Sequence, residues 1–148
     1  METVFSQRLS DSFSFSFTAN AYRNQIDAFR ALNLYPSPRT VSAGLQKNIS
    51  GNAKFNAVFL LPKKYELQAT AIYLAPDIIP QGKTGARFSL DAGIKKTIQN
   101  GKGELFLNAV DLLNTMVIKK KIFGDGFYYA SDDYCETQVI RAGYSYKF

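Results

Sequence analysis

The chain has 148 residues, 18 Lys plus Arg against 12 Asp plus Glu for a formal charge of +6, one Cys, and neither His nor Trp. This length predicts one domain, a lone Cys excludes an internal disulfide framework, and the lack of His excludes the usual zinc ligand sets and His-based catalysis. At 46% apolar and 20% charged residues the composition is that of an ordered chain; it holds no apolar run of transmembrane-helix length, and Met1–Arg8 lacks the basic-then-apolar layout of a signal peptide.

The 12 Phe and 9 Tyr recur largely at every second residue, a period that only a β-strand sorts into two faces. A short strand end is expected at Thr3–Arg8. From Ser12 to Ala21, Phe13, Phe15, Phe17, Ala19 and Ala21 alternate with Ser12, Ser14, Ser16, Thr18 and Asn20. From Val41 to Leu61 the phase does not slip, and Lys47 is its one offender. That predicts a single strand of about 70 Å at about 3.3 Å per residue, far beyond the usual soluble strand of about 5–6 residues. After Pro62-Lys63-Lys64, a strand over Tyr65–Ala75 puts Tyr65, Leu67, Ala69, Ala71 and Tyr73 on one face. Pro76, Pro80, Gly82 and Gly85 mark a loop. Arg87–Ile98 alternates again, and the Asn100-Gly101 turn follows. A strand from Glu104 to about Ile118 loses its phase near Asp111, which suggests a bulge or a costly carboxylate on the lipid side. The last strand runs from about Tyr134 to Phe148. The fold class is therefore all-β, an antiparallel up-and-down meander of about six to seven strands.

Three features favour a membrane barrel over a soluble one. The links alternate short (Leu9–Asp11, Pro62–Lys64, Gln99–Lys102) and long (Phe29–Thr40, Pro76–Gly85, about Lys119–Asp133), as the periplasmic turns and outer loops of an outer-membrane barrel do. The polar face is mostly Ser, Thr, Asn, Gln and Gly, whereas a soluble surface carries more Lys and Glu. Tyr65 and Tyr73 are separated by about 20 Å of height at about 40° tilt, the spacing of two interfacial aromatic girdles.

The ending Gly143-Tyr144-Ser145-Tyr146-Lys147-Phe148 resembles the C-terminal signal of bacterial outer-membrane proteins. The resemblance implies that Gly143, Tyr144, Tyr146 and Phe148 are read by the barrel-assembly machinery. Leu60-Leu61-Pro62-Lys63, the run from Tyr73 to Lys83, and Asp111-Leu112-Leu113-Asn114-Thr115 are similar to the C-terminal barrel of TonB-dependent receptors of the Bacteroidota type. This resemblance covers nearly the whole chain. It implies energy-coupled uptake of a metal chelate, peptide or glycan across the outer membrane. Such receptors have about 22 strands and a plug. Residues 1–148 are accordingly expected to be the C-terminal portion of a larger transmembrane β-barrel, without the plug and N-terminal strands. The implied partners are outer-membrane lipid and lipopolysaccharide, the assembly machinery, the remaining strands and plug, and TonB only through the absent part.

Other motifs read more simply. Gly82-Lys83-Thr84 lacks the earlier Gly of a phosphate loop, since Asp77 stands there. Asp125, Asp132 and Asp133 lack the ligand order of a calcium site. Cys135 has no activating His. Lys119-Lys120-Lys121 can meet lipopolysaccharide phosphates or form a solvated rim. The cations form no nucleic-acid stripe, so nucleic acid is not an expected partner. No nucleophile–base pair is visible, so the chain is not expected to be an enzyme, and no cofactor is expected. Two further readings remain: a soluble antiparallel barrel or sandwich with Phe13, Phe15 and Phe17 around an apolar ligand, and a purely structural outer-membrane anchor.

Overall fold

The computed structural model describes residues 1–124 and 126–148. Its main body is one seven-stranded antiparallel sheet. The strands, in spatial order, are β1 (Glu2–Ser10), β2 (Phe13–Ile26), β5 (Gln46–Leu61), β6 (Tyr65–Leu74), β9 (Arg87–Ile98), β10 (Gly103–Val110) and β13 (Val139–Tyr146). Each strand pairs with its neighbours in this order, so the topology is the expected meander. The first strand is longer than the predicted Thr3–Arg8 end and pairs with β2 along most of its length.

The register carries the alternation across the sheet. Phe5 stands opposite Phe17, Phe17 opposite Phe55, and Phe55 opposite Ala71. Ala71 faces Leu90, Leu67 faces Ile94, and Ile94 faces Leu107. Directly paired residues share a face, because a slip of one position inverts the whole set. One side of the sheet is therefore mostly apolar, with Gln7 and Lys96 among its exceptions near the short-turn rim. On the other side, Asn56 donates to Ser16 Oγ at 3.2 Å, Thr70 donates to Asn56 Oδ1 at 2.9 Å, and Lys95 pairs with Glu66 at 3.2 Å.

A single layer has no interior, and Ala57 and Ile78 are the buried apolar side chains among the described residues. Phe17, Phe55, Phe88 and Tyr144 lie 37–50% exposed on the apolar face; Phe13 stacks on Phe59 at 4.4 Å between centroids. This is the reverse of the closed, water-surrounded core that the soluble alternative requires.

The long links are not irregular loops. The first contains a hairpin of β3 (Phe29–Asn33) and β4 (Arg39–Ala43). The second contains β7 (Asp77–Ile79) and β8 (Gly82–Thr84), and the third β11 (Ile118–Gly124) and β12 (Phe127–Asp133). The last two join into a four-stranded sheet, in the order β12-β11-β8-β7.

Three predicted boundaries are corrected. The single strand over Val41–Leu61 breaks at Gly44-Leu45, where the chain changes partner: β4 pairs with β3, and β5 with β2. The strand expected to reach Ile118 ends at Val110, because Asp111 adopts φ 47° and turns the chain. The last strand starts at Val139, not near Tyr134, because Tyr134–Gln138 is used to tie down the turn after β10.

Candidate functional site

The wall has two chemically distinct surfaces and two rims. At the short-turn rim, a row on the apolar face runs from Leu61 through Tyr65, Lys96 and Leu105 to Tyr144, each opposite the next. Lys96 Nζ sits 4.7 Å above the Tyr65 ring, a cation–π placement that leaves the ammonium free to reach water. Tyr144 donates its hydroxyl to Gln99 Oε1 at 2.7 Å, tying the last strand to the turn before β10. Tyr73 lies near the other end of β6, opposite Phe88, and both are exposed. Tyr65 and Tyr73 thus occupy one face of one strand at opposite heights, and both rings have apolar neighbours.

The terminal residues sit on the edge strand. β13 pairs only with β10 among the described strands. Tyr144 and Tyr146 point to the apolar face with half of their surface exposed, and the Phe148 ring meets Tyr146 edge-on at 5.4 Å between centroids. Gly143 faces the polar side opposite Phe106, and a Cβ there would collide with the Phe106 ring. Phe106 looks misplaced in the alternation until this contact is seen: the ring covers the glycine of the neighbouring strand.

On the polar face, a cavity of about 300 Å³ opens between β6, β9, β10 and β13, lined by Gln68, Thr70, Asp91, Asn108 and Arg141 among others. Above it is a polar cluster that sequence reasoning did not assemble. Asp111 is fully buried. Its carboxylate accepts the Thr115 N–H at 3.0 Å, the Met116 N–H at 3.2 Å and the Thr137 hydroxyl. The Asp111 N–H donates to Asp91 Oδ1 at 2.9 Å, and Thr115 Oγ1 donates to the Phe88 carbonyl at 2.7 Å. Burial pushes the Asp111 carboxyl up, but the hydrogen bonds from Thr137, Thr115 and Met116 outweigh it and hold the group below its ordinary value. Asp111 is thus neither a lipid-facing residue nor a bulge but the centre of a turn that staples β9, β10 and the approach to β13. The sequence signal was the phase failure at Asp111; Thr137 and Asp91 gave none.

A second staple holds the outer sheet. Asp77 accepts from Tyr22 (2.9 Å), Asn24 (3.2 Å) and the Ile78 N–H (2.8 Å). Asn48 and Gln46 donate to the Pro76 and Pro80 carbonyls at 2.9 and 3.1 Å. Desolvation raises the Asp77 carboxyl, and hydrogen bonds from Ile78, Asn24, Tyr22 and Asn48 bring it below the ordinary value. Tyr22, Asn24, Gln46 and Asn48 all belong to the polar face of β2 and β5, so the second outer hairpin is fastened to that face.

Gly82-Lys83-Thr84 is strand β8. Lys120 is held by Asp133 at 2.7 Å; that hydrogen bond and charge raise the lysine and lower the carboxyl. Asp125 lies outside the described residues, and Cys135 is a free, exposed thiol.

An apolar face open to its surroundings, short turns on one rim and folded hairpins on the other define a membrane wall. A family model described as "Outer membrane protein beta-barrel family" matches residues 1–146. The chain belongs to this family. No curated protein and no solved structure matches it. As an outer membrane β-barrel family member, the chain is an outer-membrane protein, and its sheet carries one mostly apolar and one polar face. The family match spans the staple residues Asp77 and Asp111 as well as the whole of the terminal strand.

Proposed function

We propose that this chain is the C-terminal wall segment of a TonB-dependent receptor of the Bacteroidota type, working in energy-coupled uptake of a scarce nutrient such as a metal chelate, peptide or glycan. The observation that carries the reading is the open sheet: seven strands with one mostly apolar face leave β1 and β13 as unpaired edges among the described residues. Lipid cannot satisfy the backbone groups along such edges. The wall is complete only when further strands close it, and the polar face then surrounds a lumen wide enough for a plug.

In this scheme the segment supplies wall strands, three outer hairpins and the terminal assembly signal. Gly143, Tyr144, Tyr146 and Phe148 present an unpaired strand edge that the assembly machinery recognises by strand addition. Tyr65 and Tyr73 anchor the two interfaces. Outer-membrane lipid and lipopolysaccharide contact the apolar face and outer rim, TonB engages only the part beyond these strands, and the segment has no catalytic role. The deciding experiment is uptake by cells that carry the intact barrel with and without TonB. Accumulation of the nutrient is expected to stop without TonB or when the proton gradient is collapsed. Uptake that continues unchanged in both cases contradicts the proposal.

A further inference from the structure

The three lysines of Lys119-Lys120-Lys121 divide between two faces. Lys120 turns to Asp133. Lys119 and Lys121 point to the opposite face of the outer sheet, where Lys121 stands directly across from Lys83 of β8. Directly opposed residues on antiparallel strands have Cβ atoms about 4.5–5.5 Å apart, and two like charges there repel. Asp132 stands opposite Lys119 and offsets it, but Ala130 is opposite Lys121 on the other side. Among the described residues, neither Lys83 nor Lys121 makes an ion pair.

Lys83 lines a cavity of about 300 Å³, and Lys121 stands directly across from Lys83 on the neighbouring strand. One wall is Gln81, Gly82, Lys83, Phe123 and Gly124; the other is the corner between β4 and β5, including Ser42 and Gln46. Phe123 is braced by Tyr128, their centroids 5.4 Å apart. Two main-chain bonds, from Phe123 N–H to the Gln81 carbonyl at 2.7 Å and from Gly85 N–H to the Lys119 carbonyl at 2.8 Å, fix β8 against β11 and so fix the two ammonium-bearing strands.

We infer that this cleft between the outer hairpins binds a small soluble anion carrying two or more carboxylate or phosphate groups. Lys83 and Lys121 clamp the anionic groups, and Phe123 packs against the apolar part. A multivalent anion relieves the repulsion that the register imposes, and each ammonium gains a charge-assisted hydrogen bond. The cleft sits among the outer hairpins at the rim of the long links, with a mixed polar and apolar lining, which favours a solute over a lipid headgroup. The inference deepens the uptake reading by naming its substrate class and rests on that reading only for its purpose; binding can be measured where no transport occurs, so the two fail separately.

The test is calorimetric titration of the intact barrel that carries this segment, in detergent micelles, with citrate and with inorganic tripolyphosphate, at about 0.15 M ionic strength where surface charge is largely screened. Strand content is monitored by circular dichroism. Binding of at least one probe is expected. Lys83→Gln and Lys121→Gln are each expected to weaken it by about tenfold, the loss of one charge-assisted hydrogen bond. Lys83→Arg and Lys121→Arg retain it, and Lys63→Gln with Lys64→Gln on the opposite rim leave it unchanged. Binding of neither probe, equal loss in the Lys63/Lys64 variant, or retention only of lipid A vesicles overturns the inference.

Discussion

At the scale of the residue, Asp111 is a buried carboxylate in the outer part of a protein with almost no other burial. It survives there because three donors converge on it: two backbone N–H groups and one hydroxyl. A carboxylate so served stays ionised and ties together groups that water no longer reaches. Asp111→Ala strips all three donors at once. The expected cost is about 3 kcal/mol, at about 1–3 kcal/mol for each strongly unsatisfied buried group. It should appear as faster hydrogen exchange at Thr115 and Met116 and faster proteolysis between Leu112 and Gln138. The same staple gives a pH dependence. The folded carboxyl lies below its ordinary value of 3.8, so near that pH the folded chain holds fewer protons than the unfolded one, and stability rises with pH. The contribution is complete above 3.8 and is lost as pH falls toward the folded value. Exchange at Thr115 and Met116 should therefore accelerate only in strong acid, once the intrinsic pH dependence is divided out, and the acceleration should vanish in Asp111→Ala.

At the scale of the element, each spanning strand has one mostly apolar and one polar face, and substitution tests the proposal that the first meets hydrocarbon and the second the lumen. Ile94 of β9 lies on the apolar face and Gln68 of β6 on the polar one. Arginine facing lipid near the bilayer midplane costs about 2–4 kcal/mol, falling toward the interfaces. Ile94→Arg is expected to lower folding stability in bilayers by about 2 kcal/mol, whereas Gln68→Arg changes it little, as urea titration of refolded protein in lipid vesicles measures. Comparable losses at both positions would contradict the two-faced wall. The same alternation explains what the sequence discloses. Phe13, Phe15 and Phe17, or Tyr65, Leu67 and Ala69, reveal a strand and its faces because the period depends on near neighbours alone. The corner at Gly44-Leu45 is invisible because the alternation passes through it; only the change of partner from β3 to β2 marks the break. The outer hairpins escape for a related reason. Their strands β7 and β8 have three residues each, too few for any period, and the Lys83–Lys121 juxtaposition depends on a pairing between segments far apart in sequence. Tyr65 and Tyr73 are legible from local spacing and the terminal aromatics from a resemblance of the last six residues, whereas the Asp111 and Asp77 clusters come from contacts across several strands.

At the scale of the molecule, the sheet has a lipid-ready face but no closed perimeter. Backbone donors and acceptors along β1 and β13 demand partners, and the bilayer offers none. The 148-residue chain refolded alone is expected to enter micelles as associated species, without the shift in gel mobility on heating that a closed monomeric barrel shows. A sharp, heat-sensitive monomer band would mean that these strands close by themselves.

The direction of the two edges sets a further condition. Neighbours alternate across seven strands, so β1 and β13 descend the same way toward the rim of tight turns. A cylinder whose every seam is antiparallel has an even total. Whatever completes this one must therefore contribute an odd number of strands. A second copy inserted in the same orientation brings seven, yet its meeting edges point alike and its seams are parallel; parity alone does not rescue it, because its outer strands descend where ascending ones are needed. The complement begins and ends with a strand rising from the turn side, and that polarity is already written into the two rims of the wall.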